Sequence, residues 1–253
     1  MNRMMMKFSL LLCSALTCTA LARTSLADDV HVAVAANFLA TLQHVADDFS
    51  KQSVDHILIS SGSTGKLYAQ IVHGAPYEIF LAADAERPQR LEREGYAVKG
   101  TRYTYARGRL ALWSRDPQRV DAAGKVLQSG HYAHLAMANP RTAPYGLAAQ
   151  QTLEHLGLWT TLQPRVVQGE DIGQVLQFVD SGAAELGFVA YAQVKRLAAG
   201  SYWLVPQADH APLEQQAILL LPGAKSPAAL AFMRYLHSDA VRRLIEDAGY
   251  DVP

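Results

Sequence analysis

The chain has 253 residues, half of them apolar, and carries 23 basic and 23 acidic side chains. This length allows one large domain or two small ones, and the apolar fraction is sufficient for buried cores. The balanced charge, with no polybasic run, argues against a nucleic-acid-binding protein and against a protein that binds membrane surfaces electrostatically.

The first 27 residues have the pattern of a secretory signal peptide. Arg3 and Lys7 precede an apolar run over residues 8–22, and small residues follow at the two positions that a signal peptidase reads. The alternative is a membrane helix, but the run is short for a span of about 20 apolar residues. We therefore predict export and cleavage after Ala27.

Both cysteines, Cys13 and Cys18, lie in this leader. The mature chain then has no thiol, which excludes disulfides, thiol chemistry and a Cys-ligated metal. The leader also holds three basic residues and no acidic one, so the mature chain has 20 basic against 23 acidic residues and a net charge of −3. We expect a soluble product with no membrane insertion of the mature chain.

Short β-rich runs alternate with amphipathic helical runs after the leader. In chain order they are a strand at 31–37, a helix from 38, a strand at 56–61, a helix after 65, a strand at 78–84 and a charged helix ending near 95. This alternation predicts an α/β fold, in which a mostly parallel sheet is flanked by helices.

A long extended run at 102–117 interrupts the alternation. A second series follows, with strands at 134–139, 165–168, 185–191 and 202–206 and helices at 144–157 and 171–182. A polar return at 207–216 then leads to a strand at 217–223 and helices at 226–237 and 238–248.

The two crossings of the chain predict two lobes joined by two hinge segments. Residues 28–110 and 216–253 form the first predicted lobe, and residues 111–215 form the second. The cleft between them, at the carboxyl ends of strands, is the expected ligand site.

The segment SSGSTGK, residues 60–66, connects a predicted strand to a helix. A nucleotide phosphate loop requires Gly five residues before its Gly-Lys pair and Ser or Thr after it. Ser60 and Leu67 occupy those positions, which excludes that motif. Two interpretations remain: Ser63 or Thr64 simply caps the helix, or the backbone N–H groups and dipole of the helix start hold an anion.

Three other loops share this construction. Asn37, Tyr145 and Ile172 each lie at or near a helix start that follows a strand, so each predicted lobe has two such loops. Four helix starts at one cleft would form an oxyanion site of neutral donors, which favours a fully ionised ligand. We interpret the nearby cations, Lys66 and Arg141, as solvent-exposed charges that do not contact the ligand.

Patterns for catalysis or resident metals are weak. The nine histidines are scattered without a metal-binding pair, and no Gly-x-Ser-x-Gly segment occurs. Glu170 and Asp171 could act as acid and base, but adjacent acids at a helix start are more often caps. We expect no enzyme; an exported phosphate-ester hydrolase is the alternative from that class, and it lacks a visible nucleophile with a paired base.

At these loops the sequence resembles the periplasmic molybdate-binding proteins of ABC importers. The similar segments are AVAANFLATLQHVADDF, SSGSTGKLYAQIVHGAPYEIFLAAD, ANPRTAPYGLAAQQTLEHLGLW, GEDIGQVLQFVDSGAAELGFV and FMRYLHSDAVRRLIEDAGY. The resemblance implies a two-lobe type II periplasmic binding protein, a monomer without a cofactor. Such a protein closes on molybdate or tungstate and delivers it to a membrane permease that is energised by a cytoplasmic ATPase.

The resemblance also implies which residues hold the oxyanion: Ala36, Asn37, Ser63, Thr64, Tyr145 and Ile172. Many family members have Ser where Asn37 stands and a ligating Tyr where Ala190 stands. We expect the Asn37 amide to donate to the anion, and Tyr145 or Tyr191 to compensate for Ala190. These departures leave sulfate, thiosulfate or another small anion open as the ligand.

Overall fold

The computed structural model describes residues 27–197 and 199–253, so the predicted signal peptide, apart from its last residue, lies outside the described residues. The strands are β1 (Asp29–Ala35), β2 (His56–Gly62), β3 (Ile79–Leu81), β4 (Tyr103–Gly108), β5 (Leu110–Ser114), β6 (Leu135–Ala138), β7 (Val166–Gly169), β8 (Leu186–Ala190), β9 (Ser201–Leu204) and β10 (Leu213–Leu219). The helices are α1 (Leu39–Phe49), α2 (Thr64–Val72), α3 (Glu86–Glu94), α4 (Val126–Ser129), α5 (Pro144–His155), α6 (Trp159–Leu162), α7 (Ile172–Asp180), α8 (Tyr191–Val194), α9 (Pro227–Leu236) and α10 (Asp239–Ala248).

The strands form two five-stranded sheets of the same design. The first has the order β2-β1-β3-β10-β4 and the second the order β7-β6-β8-β5-β9. In each sheet three strands are parallel and one strand, β10 or β5, runs antiparallel to both of its neighbours. The predicted α/β class with a mostly parallel sheet in each lobe is confirmed.

Burial on both faces of the sheets explains their continuous apolar strands. Val32 and Val34 of β1 pack in a core with Phe38 and Leu42 beside one face of the first sheet. Ala33, between the two valines, packs with Leu67 and other residues of a separate cluster on the opposite face. A strand covered by helices on both faces loses the alternation of apolar and polar residues.

The first crossing between the lobes occurs at Arg109. The run at 102–117, predicted as one extended segment, consists of β4 in the first sheet and β5 in the second. Gly108, the last residue of β4, has to be glycine because a Cβ there would lie 2.1 Å from the Tyr145 hydroxyl.

The second crossing differs from the prediction. The residues LEQQ at 213–216, predicted as a polar return, form the first half of β10. They pair antiparallel with β4, beginning with Leu213 opposite Gly108. Gln215 and Gln216 are buried in this strand because their amides have hydrogen-bond partners. We therefore propose Arg109 and the segment before Leu213 as the lobe limits, close to the predicted limits at 110 and 216.

The described residues contain no helix that is long and apolar enough to cross a membrane.

Candidate functional site

Four helix starts surround one small cavity between the lobes. A 3-10 helix, Ala36–Phe38, and α2 approach from the first lobe, and α5 and α7 approach from the second. The space between the lining atoms is about 200 Å³, part of it open to solvent, which is less than the roughly 300–1,000 Å³ of pockets for drug-sized ligands. Its lining includes all six residues predicted for the oxyanion, namely Ala36, Asn37, Ser63, Thr64, Tyr145 and Ile172.

Ser63 is the N-cap residue of α2, but its side chain does not cap the helix. The residue is 3% exposed, and its Oγ is buried without a hydrogen-bond partner among the described residues. A buried polar atom left unpaired costs about 1–3 kcal/mol. The Ser63 hydroxyl is therefore a donor placed at the cavity that the protein itself does not use, and the simple capping interpretation fails for it.

Thr64, the first residue of α2, is also buried and lines the cavity. Its Oγ1 accepts a hydrogen bond from the backbone N–H of Ala83 at 3.1 Å. A hydroxyl that accepts one bond still has its own proton to donate. The bond to Ala83 fixes the side chain at the end of β3 and leaves that proton available.

The other helix starts also lack side-chain caps, with one exception. Ala35 and Ala143, the N-caps of the 3-10 helix and α5, have no oxygen with which to bond the first turn. At α7 the carboxylate of Asp171 accepts from the N–H groups of Gly173 at 2.8 Å and Gln174 at 3.0 Å. Asp171 is thus a cap, as its position predicts. Its carboxylate accepts from the N–H groups of Gly173 and Gln174 and not from that of Ile172.

Two cationic residues, Lys66 and Arg141, lie near the cleft, and neither lines the cavity. Lys66 Nζ lies 2.6 Å from Glu170 Oε2, across the two lobes, and both side chains are largely exposed. Arg141 contributes its carbonyl oxygen, which accepts from the Arg87 guanidinium at 3.2 Å. Among the described residues that line the cavity there is no lysine, arginine or histidine. The positive electrostatic potential at the site therefore comes from backbone N–H and hydroxyl donors.

The Asn37 side chain differs from the expectation that it donates to the anion. Its Nδ2 donates to Gln215 Oε1 at 2.8 Å and to the Tyr250 hydroxyl at 3.2 Å. An amide nitrogen has two hydrogens, so both are used within the protein. The remaining donor of Asn37 is its backbone N–H.

The two tyrosines proposed to compensate for Ala190 occupy different places. Tyr145 lines the cavity, and its hydroxyl accepts from Gln215 Nε2 at 3.3 Å. Tyr191 is not among the lining residues; its ring faces the Arg109 guanidinium at 5.1 Å. Of the two, only Tyr145 is positioned at the site.

Burial determines the protonation of the phenols near the site. It raises the pKa of Tyr145 and of Tyr105 well above the ordinary value, and the neighbouring Tyr250 raises both further. Burial likewise raises the pKa of Tyr250. All three phenols are neutral in the physiological range, so none of them places a negative charge beside an anion in the cavity.

Sequence reasoning missed Gln215 and Tyr250, which bond lining residues from behind, and Tyr105, which bonds Gln215. Gln215 lies in the segment predicted as a polar return. The available signal was the alternation of Leu213, Gln215 and Ala217, which extends the apolar strand backward with one face buried.

In the described part of the chain, no group of three His, Cys, Asp or Glu side chains is placed to hold a metal ion.

Comparison with known proteins gives consistent matches over the whole described chain. The family model for bacterial extracellular solute-binding proteins matches residues 30–251. The molybdate-binding protein ModA of Azotobacter vinelandii is 46% identical over 227 residues, which cover 88% of this chain and 90% of the relative. The ModA protein of Rhodobacter capsulatus is 43% identical and covers 88% of each chain.

A solved structure agrees with these matches. The periplasmic molybdate-binding protein of Azotobacter vinelandii superposes with a TM-score of 0.86 at 44% identity, covering 88% of this chain and 99% of that chain.

Proposed function

Because this chain belongs to the family of bacterial extracellular solute-binding proteins, we propose that it captures molybdate between its two lobes and delivers it to an ABC importer. The relatives named ModA support molybdate as the ligand. The observation that carries the proposal is the buried hydroxyl of Ser63, a residue that lines the cavity where four helix starts meet. In the part of the chain that the structure describes, this hydroxyl has no hydrogen-bond partner.

The proposed oxyanion donors are neutral and come from both lobes. They are the hydroxyls of Ser63 and Thr64 and the backbone N–H groups of Ala36, Asn37, Tyr145 and Ile172. Helix starts favour anions because their first N–H groups are unpaired and the dipole is positive there. A cavity of this size supports a compact oxyanion as the ligand and leaves no space for a nucleotide.

Fixed donors also supply selectivity among tetrahedral anions. Tungstate is nearly equal in size to molybdate and should bind in the same way. Sulfate is smaller, so some hydrogen bonds to it would be stretched or lost in a site dimensioned for the larger ion. Sulfate and thiosulfate are the competing ligands. The relative affinities for molybdate, sulfate and thiosulfate decide which of them is the ligand.

The transport role places the protein outside the cytoplasm. We propose export with cleavage after Ala27, action as a monomer in the periplasm, and docking on a membrane permease that is energised by a cytoplasmic ATPase. The relatives are solute-binding proteins and not enzymes, which supports a delivery function without bond making or breaking. Generic chromogenic phosphate esters should show no turnover.

Calorimetric titration of the purified mature protein tests the proposed function. Molybdate and tungstate should bind tightly, and sulfate at least about 100-fold more weakly, because each poorly paired donor in a closed site costs about 1–3 kcal/mol. Equal affinity for sulfate, or no binding of molybdate, would contradict the assignment.

A further inference from the structure

Gln215 connects the two walls of the cavity from behind. Its Oε1 accepts from Asn37 Nδ2 at 2.8 Å and from the Tyr105 hydroxyl at 3.1 Å, and its Nε2 donates to the Tyr145 hydroxyl at 3.3 Å. Asn37 lines the cavity from the first lobe and Tyr145 from the second. Gln215 itself is fully buried and is not a lining residue.

The bonds around Gln215 continue into a neutral network. The Tyr250 hydroxyl donates to the carbonyl of Asn37 at 2.7 Å and accepts from its amide at 3.2 Å. The Tyr105 hydroxyl has a single proton, which is shared between Gln215 Oε1 and the carbonyl oxygen of Ala82 at 3.2 Å. The loop that carries the Asn37 backbone N–H is therefore fixed by groups from β4, β10 and the C-terminal segment.

The backbone of β4 beside Gln215 is irregular. Gln215 pairs with Ala106 and Gln216 with Thr104, so Tyr105 is the extra residue of a bulge in β4, and such bulges redirect side chains near functional sites. Gly108, two residues beyond Ala106 on β4, leaves space for the Gln215 side chain, since a Cβ there would lie 2.7 Å from Gln215 Nε2. The network thus passes through the point at which the chain crosses between lobes.

We propose that Gln215 is a positioning residue of the oxyanion site, which aligns the Asn37 and Tyr145 loops when the lobes close. This inference rests on the proposed function. The bond to Asn37 lies within the first lobe, whereas the bond to Tyr145 joins the lobes. Opening of the cleft breaks the second bond and keeps the first, so closure and alignment of the donors occur together.

Glutamine suits this position because it offers an acceptor and a donor without charge. A protonated glutamic acid offers the same pair, a carbonyl acceptor and an O–H donor. An ionised carboxylate only accepts, and its charge would repel the bound dianion. Gln215→Glu should therefore bind well when the buried carboxyl is protonated and poorly when it is ionised.

The experiment compares Gln215→Met, Gln215→Glu and a matched control, Gln216→Met. Gln216 is the adjacent buried glutamine. In the described part of the chain its amide bonds only to Arg102 and Thr104, both in the first lobe. Molybdate affinity is measured by calorimetry across neutral and mildly acidic pH, the dissociation rate by stopped-flow fluorescence, and the ligand-free melting temperature for each variant.

We expect Gln215→Met to lose about 10-fold or more in affinity, mainly through faster dissociation, since about 1.4 kcal/mol corresponds to tenfold. Gln215→Glu should regain affinity as the pH falls, while the wild type and Gln216→Met stay constant. Unchanged affinity in Gln215→Met, no recovery of Gln215→Glu in acid, or equal losses in both methionine variants would overturn the positioning role.

The wild-type titration separates this inference from the proposed function. If the wild type binds sulfate and not molybdate, the proposed ligand is wrong, and the same order of variants measured with sulfate still supports Gln215. If the wild type binds neither anion, both proposals fail.

Discussion

The backbone nitrogen of Gly65 lies 2.8 Å from the carbonyl oxygen of Thr142, so the first turn of α2 touches the loop before α5 in the other lobe. A Cβ at Gly65 would come within 3.0 Å of both the Cα and the carbonyl oxygen of Thr142. The glycine that resembles part of a phosphate loop is thus required for the close approach of two lobes.

Gly65→Ala should weaken molybdate binding by about 10-fold or more, because the methyl group holds the lobes apart and about 1.4 kcal/mol is a tenfold change. The ligand-free protein should not lose stability, since alanine is the better helix former by about 1 kcal/mol. Calorimetry and thermal melting measure the two effects. Unchanged affinity would show that the contact with Thr142 is unnecessary for binding.

Ser63→Ala should weaken binding by about 1–3 kcal/mol, the range for a hydrogen bond to a charged group in a closed site. Ligand-free stability should be unchanged or slightly higher, because the substitution removes a buried hydroxyl that has no partner. Ser60→Ala, in the same segment but outside the cavity lining, is the control and should bind like the wild type. A loss in the control equal to that in Ser63→Ala would refute the assignment.

Thr64→Ala should weaken binding by a similar amount, about 1–3 kcal/mol. It should also lower the melting temperature of the ligand-free protein, because the N–H of Ala83 loses the Thr64 hydroxyl oxygen that accepts its hydrogen bond. Thermal melting without ligand distinguishes the two hydroxyl residues. Full stability of Thr64→Ala would argue against the bond to Ala83.

Lys66→Ala and Glu170→Gln should each reduce affinity only slightly, by about 0–1 kcal/mol, because their ion pair is exposed. The two effects should be similar and should shrink at high salt, where exposed charges are screened. Titrations at low and high ionic strength measure this. A far larger loss for Lys66→Ala than for Glu170→Gln would mean that the lysine contacts the anion directly.

Affinity should stay constant between about pH 6 and pH 9, because no lysine or histidine, whose ordinary pKa values are about 10.4 and 6.5, lines the cavity. Burial raises the pKa of Tyr145, so its phenol stays neutral as the pH rises and gains no repulsive charge. A series of calorimetric titrations provides the test. A steep loss of affinity above neutral pH would point to a titrating cation in the site.

The arrangement of four loops around one site was predictable because local sequence patterns determine it. Asn37, Ser63, Tyr145 and Ile172 each follow a strand and begin a helix, and the carboxyl ends of parallel strands share one edge of a sheet. The alternation of short strands and helices indicated such sheets, and the resemblance correctly implied the two-lobe fold.

The orientation of individual side chains was not predictable in the same way. The Asn37 amide bonds to residues 178 and 213 positions away, and no local pattern reports contacts at that distance. The segment at 213–216 was assigned to a loop because glutamines are usually exposed. Gln215 is instead buried because Asn37, Tyr105 and Tyr145 satisfy its amide.

A crystal structure of the molybdate-bound protein, with the metal located by its anomalous scattering, tests the central claim most directly. We predict one molybdenum peak in the cavity between the four helix starts. An oxygen of the anion should lie about 2.5–3.0 Å from Ser63 Oγ, the usual range for such a bond. A peak beside Lys66 or Arg141, or no peak in the cavity, would contradict the account.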